Sequence, residues 1–106
     1  MIQYNVTIKL EPEVEEAWLT YMNGSHIKAV MDTGLFVHCR FSKLIQSGEE
    51  GPSYTIQYVL PSMKHMHKYQ SQYARALQAD HSTRFKGKFV AFRTLMEIVS
   101  EHGNTS

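Results

Sequence analysis

Polar and apolar residues alternate strictly through the first ten positions of the chain. The apolar positions are Ile2, Tyr4, Val6, Ile8 and Leu10, and a polar residue stands between each pair. Successive side chains of a strand point to opposite faces of a sheet, so this period of two predicts a half-buried β-strand over 2–10.

A helical pattern follows the first strand. Pro12, with an acidic residue on each side, is typical of a helix start, because the first turn leaves backbone N–H groups unpaired and favours negative charge. An apolar stripe predicts a helix that continues to about Asp32 and stops at Gly34. Its members are Val14, Trp18, Tyr21, Met22, Ala29 and Val30. Glycine costs about 1 kcal/mol relative to alanine inside a helix, so the segment 23–25 predicts a kink or a local break.

The remaining chain predicts three strands and one more helix. The second strand is expected over 35–44, with Leu35, Val37, Cys39 and Phe41 on its core side. Loop-forming residues fill 46–52, and the third strand covers 54–60. Ser62 is a suitable N-cap for a second helix that reaches about residue 85. The last strand is expected over 89–99, followed by a frayed tail.

The resulting order is β-α-β-β-α-β, which predicts one α+β domain over residues 1–106. Two strand pairs with two helices are typical of a ferredoxin-like fold, a four-stranded antiparallel sheet with both helices on one face. A chain of 106 residues suits a single domain.

The second face of the predicted sheet has a mixed character. It would present Gln3, Asn5, Thr7, Lys9, Phe36, His38, Arg40, Thr55, Gln57, Val59 and a residue near Phe92 or Arg93. One interpretation is a face open to water, which antiparallel sheets tolerate. The other is that two such faces meet across a two-fold axis and enclose a partly polar chamber. Apolar residues on this face, and a last strand that is apolar on both sides, favour the homodimer.

Composition narrows the choice of partner. Eleven basic residues against ten acidic ones leave a formal net charge of +1, so we expect no nucleic-acid binding. A single cysteine, Cys39, excludes an intramolecular disulfide. The first residues contain no basic segment and no long apolar run, so we expect no membrane span and a cytoplasmic location.

Three segments carry a resemblance to a known family. They are 2–7 (IQYNVT), 18–26 (WLTYMNGSH) and, above all, 80–95 (DHSTRFKGKFVAFRTL). The chain resembles a bacterial family of small proteins known only as a domain of unknown function, within the dimeric α+β barrel superfamily. That superfamily includes antibiotic-biosynthesis monooxygenases, muconolactone isomerases and haem-degrading monooxygenases. The resemblance implies the fold and a dimer, but no particular chemistry, because one fold serves many functions.

His81 and Arg84 form the first candidate site. A helical wheel places both on the side of the second helix that packs on the sheet, near its C-terminal end. With His26 they would form a cationic pocket for a carboxylate, phosphate or enolate. The alternative is structural, since both residues can bond the free carbonyls at the helix end.

His38 and Arg40 form the second candidate site. They share one face of the second strand and, with Asn5, Thr55 and Gln57, would make a donor-rich floor for the chamber. Otherwise they only keep that face in contact with water or form pairs with residues across the dimer.

No cofactor or metal is predicted. His65 and His67 lie about 200° apart on a helix and cannot bind one ion together. The haem-degrading relatives use a first-strand Asn together with a Trp and a His on the second helix. Here Trp18 lies on the first helix, where its place in the apolar stripe predicts a core residue, so a haem site is disfavoured.

Three functions remain open on the sequence. The favoured one is a small-molecule-binding or regulatory homodimer whose ligand is anionic or amphipathic. The alternative is a cofactor-free oxygenase or isomerase of the antibiotic-biosynthesis monooxygenase type, with His26, His81 or His38 as acid or base. The third is a purely structural interaction module.

Overall fold

The structure of the protein, a computed structural model, describes residues 1–45 and 51–104. The strands are β1 (Ile2–Leu10), β2 (His38–Lys43), β3 (Ser53–Leu60) and β4 (Phe89–Glu97). Between β1 and β2 lies helix α1 (12–31), and between β3 and β4 lies helix α2 (63–84), so the predicted βαββαβ order is confirmed. Most of the loop predicted over 46–52 lies outside the described residues.

The sheet is antiparallel throughout, in the order β2-β3-β1-β4. The alternating residues of β1 and β3 are buried on the side of the two helices. Trp18, Met22 and Val30 from α1 and Met66 from α2 complete this core, and each is at most 1% exposed. The prediction that Trp18 belongs to the core is therefore confirmed.

Both helices contain a π-helical turn. Helix α1 runs through a 3-10 turn (Pro12–Val14), an α segment (Glu15–Tyr21), the π turn (Met22–His26) and a second α segment (Ile27–Met31). Helix α2 consists of Met63–Tyr69, the π turn Gln70–Ala74 and Arg75–Arg84. The kink or local break predicted at 23–25 is thus an irregular turn, and the helix continues through it.

The π turn in α2 corrects the helical-wheel prediction for Arg84. One additional residue in a π turn rotates everything after it by roughly 100° relative to a regular helix. Phe85 then aligns with Met66 and is buried, while Arg84 rotates away and is exposed. The placement of Arg84 on the sheet-facing side is therefore wrong, and that of His81, 6% exposed, is right.

The start of the second strand is also corrected. Residues 35–37 lie outside the sheet ladder, so their side chains do not alternate. Leu35 and Phe36 are both buried, and the Phe36 ring packs against Tyr69 with 4.8 Å between centroids. Val37 is 54% exposed. The assignments of Phe36 to the second face and of Val37 to the core side are wrong.

Strand β4 forms one edge of the sheet. Its register pairs Phe92 with Thr7 and Arg93 with Val6 on β1, which places Phe92 on the second face and Arg93 on the helix side. Within the protomer Phe92 is 65% exposed, and Val90, Leu95 and Met96 are exposed as well. The strand predicted to be buried on both faces is therefore open on both faces of a single protomer.

No helix in the described part of the chain is long and apolar enough to cross a membrane.

Candidate functional site

A crevice, here called the helix–sheet cleft, runs between the helices and the sheet toward β4. Its inner part is narrow, about 30 Å³, and its lining includes His26, His81 and Met22. Its outer part, about 240 Å³, opens beside Gln70 and Leu95. The two parts share Tyr4, Tyr69, Gln78 and Arg93. A space of about 10–15 Å³ holds one water molecule, so the inner part accepts one small polar group.

The indole of Trp18 fixes the state of His81. Trp18 Nε1 donates a hydrogen bond to His81 Nε2 at 2.8 Å, and both residues are buried. An indole N–H can only donate, so His81 Nε2 must be the unprotonated nitrogen of a neutral ring. The proton of His81 is therefore on Nδ1. The same ring packs edge-to-face with Phe89 at 4.6 Å between centroids, which helps to hold its orientation.

A chain of hydrogen bonds from the surface fixes His26. Arg84 Nε lies 3.3 Å from both carboxylate oxygens of Asp80. The hydroxyl of Tyr21 donates to Asp80 Oδ2 at 2.5 Å, and His26 Nδ1 lies 3.3 Å from the same hydroxyl. Because the hydrogen of Tyr21 is committed to an acceptor-only carboxylate, the hydroxyl can only accept from His26. The proton of His26 is therefore also on Nδ1.

The two histidines are neutral at physiological pH. Burial above all, together with the neighbouring His26 and Arg93, lowers the pKa of His81 to about 4. Burial also lowers the pKa of His26, although Asp80 opposes the shift. The imidazole rings lie 5.6 Å apart between centroids. The predicted cationic pocket of His26, His81 and Arg84 is thus corrected: the histidines are uncharged and Arg84 lies outside the cleft.

The positive charge of the cleft comes from Arg93. Its guanidinium and the Gln78 amide face the Tyr4 hydroxyl at the point where the inner and outer parts meet. In the described residues no carboxylate forms an ion pair with Arg93. Tyr58 and Tyr69 have pKa values raised by burial, so both phenols keep their protons. The cleft therefore combines one cation with neutral donors and aromatic walls.

Sequence reasoning did not assign Arg93 and Gln78 to the site. Apolar residues occupy both faces of β4, so the sequence pattern of this strand does not show on which face of the sheet Arg93 lies. The usable signal was the charge itself, since Arg93 is the one basic residue between Phe89 and Glu97. Gln78 lies after the π turn of α2, which changes the face on which it projects.

The other predicted residues lie together on the second face of the sheet. Asn5, Gln57 and Arg40 are consecutive neighbours across β1, β3 and β2, and His38 pairs with Val59. A shallow depression of about 160 Å³ borders His38, Arg40 and Gln57. Arg40 and His38 are exposed, and Asn5 accepts a hydrogen bond from the neighbouring Gln3 at 2.9 Å. Of the seven candidates, the structure therefore places two in the cleft and four on the second face, and Arg84 lies outside both.

The remaining candidates for chemistry have local partners. His65 Nδ1 lies 2.8 Å from the hydroxyl of Ser62, which also caps α2. Burial raises the pKa of the Cys39 thiol to about 11, so it stays protonated and unreactive at neutral pH. Within residues 1–45 and 51–104, no group of three His, Cys, Asp or Glu side chains is placed to hold a metal ion.

Known proteins similar to this chain agree on the fold. Residues 1–99 match the family model described as "Domain of unknown function (DUF4286)". No curated protein matches the sequence. A dimeric ferredoxin-like protein from an uncultured marine organism has a similar structure, with a TM-score of 0.71, 14% identity, and coverage of 97% of this chain and 98% of that chain.

Two further solved structures share the architecture. HapK from Hahella chejuensis has a TM-score of 0.73 at 9% identity and full coverage of both chains. SnoaB from Streptomyces nogalater, described as a cofactor-independent oxygenase, has a TM-score of 0.64 at 11% identity, covering 99% of this chain and 97% of that chain. At these identities the likeness establishes the ferredoxin-like fold and leaves the chemistry open.

Proposed function

The chain belongs to the DUF4286 family, a domain of unknown function, and we propose that it is a homodimer that binds a small anionic or amphipathic molecule in the helix–sheet cleft. We therefore assign the chain to the class of binding or regulatory proteins. The observation that carries the proposal is the position of Arg93, a cation without a carboxylate partner in the described residues, at the junction of the two parts of an aromatic-lined cleft.

The outer cleft supports an amphipathic ligand. Its volume of about 240 Å³ approaches the lower end of the range that small-molecule sites usually have. Tyr4 and Tyr69 supply apolar ring surface, while Arg93 and Gln78 supply donors for an anionic or carbonyl group. A ligand with an aromatic body and an acidic substituent fits this combination.

The second face of the sheet supports the homodimer. Phe92 and Val90 are exposed there on β4, and both would be buried if two such faces packed together. The protein of similar structure from an uncultured marine organism is described as dimeric, so a dimer of this architecture is already known. A specific dimer of this kind buries at least about 1,000 Å² in total.

Native mass spectrometry of protein purified from its own host tests the proposal. We expect a dimer mass with a retained small molecule in the wild type. Arg93→Gln should lose that molecule, whereas Arg40→Gln, which removes a cation from the other face, should keep it. Loss from the Arg40 variant and retention by the Arg93 variant would place the ligand on the second face and contradict the proposal.

A cofactor-free oxygenase or isomerase is the second candidate function, and one observation favours it. His26 offers an unprotonated Nε2 at the inner end of the cleft, and a neutral imidazole is a suitable general base near neutral pH. The fold is shared with SnoaB, an oxygenase that needs no cofactor. Conversion of the retained molecule in air by the wild type, lost in His26→Gln while binding persists, would distinguish the enzyme from the binder.

A further inference from the structure

We propose that the inner end of the helix–sheet cleft is a recognition site for a single hydroxyl group, read by an acceptor nitrogen of His26 and a donor nitrogen of His81. The inference rests on the proposed binding function and specifies the ligand: an aromatic or aliphatic alcohol or phenol whose hydroxyl enters the inner cleft. The positioning residues are Trp18 for one histidine and Tyr21, with Asp80 behind it, for the other.

The donor comes from His81. Its Nε2 is occupied by the indole N–H of Trp18 at 2.8 Å, which leaves Nδ1–H as the free group. The acceptor comes from His26, whose Nδ1–H points to the Tyr21 hydroxyl at 3.3 Å and leaves the lone pair on Nε2. The two histidines thus present opposite hydrogen-bonding characters although they are the same residue type.

Both remaining nitrogens border open space. Among residues 1–45 and 51–104, no fully buried side-chain polar atom lacks a hydrogen-bond partner. His81 Nδ1 and His26 Nε2 have no protein partner in that part of the chain, so each must be accessible, and both rings line the inner cleft. The ring centroids are 5.6 Å apart, so a single oxygen atom beside the two rings can reach one nitrogen of each.

The size and charge of the inner cleft select the group. About 30 Å³ admits a small polar group but not an aromatic ring. A hydroxyl both donates and accepts, so it satisfies His26 and His81 together. A carboxylate, which only accepts, would face the lone pair of His26. An ether would leave His26 unsatisfied, and unpaired polar groups in such sites weaken binding strongly.

Nitrogen-15 NMR of the histidine rings tests the tautomers in the full-length protein at pH 7. We expect both His26 and His81 to carry the proton on Nδ1. In Tyr21→Phe the acceptor for His26 is removed, so the Nε2–H form of His26 should gain population while His81 stays unchanged. Tyr73→Phe, a partly buried tyrosine of α2 outside the cleft lining, should change neither ring. A wild-type His26 protonated on Nε2 would overturn the proposal.

Phenol and anisole test the recognition itself, since anisole replaces the hydroxyl hydrogen by a methyl group. NMR titration of the wild type should show phenol binding at least about 10-fold more tightly than anisole, with shifts at His26 and His81. Tyr21→Phe should lose most of that preference, and Tyr73→Phe should retain it. Equal affinity for the two probes, or no phenol shift at the two histidines, would overturn the hydroxyl site.

These outcomes separate the inference from the function on which it rests. If the hydroxyl site fails but Arg93→Gln still releases the retained ligand, the cleft binds a ligand of another class. If phenol binds as expected and no dependence on Arg93 is found, the anionic part of the proposed function is wrong and the hydroxyl site stands.

Discussion

The two faces of the sheet both carry polar residues, but those residues are organised differently. On the helix face His81 and His26 are held by Trp18 and Tyr21, so their orientation and tautomer are fixed. On the second face His38 and Arg40 project from an exposed strand. Polar residues on one face therefore do not by themselves make a site. Fixed chemistry arises where packing on other elements restricts each group to one state.

Substitution of Trp18, at the centre of the helix face, should reduce stability more than any of the other changes. Trp18→Ala should lower the free energy of unfolding by about 3–5 kcal/mol, because a fully buried indole is replaced by a cavity. Urea denaturation followed by circular dichroism measures this.

Trp18→Phe is the matched control, since it keeps an aromatic ring in the core, removes the bond to His81 and leaves a smaller cavity than alanine does. It should cost less, about 1–3 kcal/mol, the usual penalty for a buried acceptor left unpaired. Equal losses in the two variants would show that the hydrogen bond, rather than the packing, dominates.

The pH dependence of stability should come from the helix face as well. The folded pKa of His81, about 4, lies below its ordinary value of 6.5, so the unfolded chain binds a proton more readily. The stabilisation is fully present above pH 6.5 and is lost as the pH falls toward 4. The loss amounts to about 3 kcal/mol at one pKa unit per 1.36 kcal/mol. Denaturation at a series of pH values measures it.

His81→Gln should remove most of this pH dependence while its side-chain oxygen still accepts from Trp18. His38→Gln, on the other face, should leave the dependence intact. The lowered pKa of the Asp80 carboxyl places its protonation in a more acidic range, so it does not confuse the comparison. An unchanged profile in His81→Gln would contradict the burial of a neutral His81.

Substitution of Phe92, the exposed aromatic residue of the second face, tests whether this face is the dimer interface. Phe92→Glu should weaken the proposed dimer at least about 30-fold, since a central aromatic contact is worth about 2 kcal/mol or more and the new charges would oppose each other. Sedimentation equilibrium measures the dissociation constant.

Gln72→Glu adds the same charge on the exposed side of α2 and should leave the dimer unchanged. If Phe92→Glu stays fully dimeric, the second face is not the interface. A wild-type monomer at micromolar concentration would exclude the dimer itself.

The smallest effect is expected for Arg84→Lys. Arg84 pairs with Asp80 and covers the Tyr21 ring at 4.7 Å, but its side chain is 56% exposed. Replacing the guanidinium should therefore lower the free energy of unfolding by less than about 1 kcal/mol. Thermal and urea denaturation measure this, with Arg75→Lys on the same helix as the control.

The bond of Arg84 to a carboxylate of its own chain favours a structural role. In that case Arg84→Lys should retain the ligand as the wild type does. Loss of the retained ligand with unchanged stability would instead assign Arg84 to binding.

Local periodicity was sufficient for most of the fold. The strict alternation of β1 and β3 and the apolar stripes of the two helices fixed the order of elements, because a strand or helix must bury its apolar side. Trp18 in the core followed from the same stripe. The shared face of Asn5, Gln57, His38 and Arg40 followed from the period of two in each strand.

Tertiary structure decided the site. A regular helical wheel cannot show where a π turn adds a residue, so the exposure of Arg84 and the cleft position of Gln78 depended on the folded helix. Phe36 turned inward because the ladder of β2 begins only at His38, which local alternation does not reveal. Arg93 faces the cleft because β4 pairs with β1 in one register. The states of His26 and His81 depend on partners 5 and 63 residues away along the chain, and only folding brings those groups together.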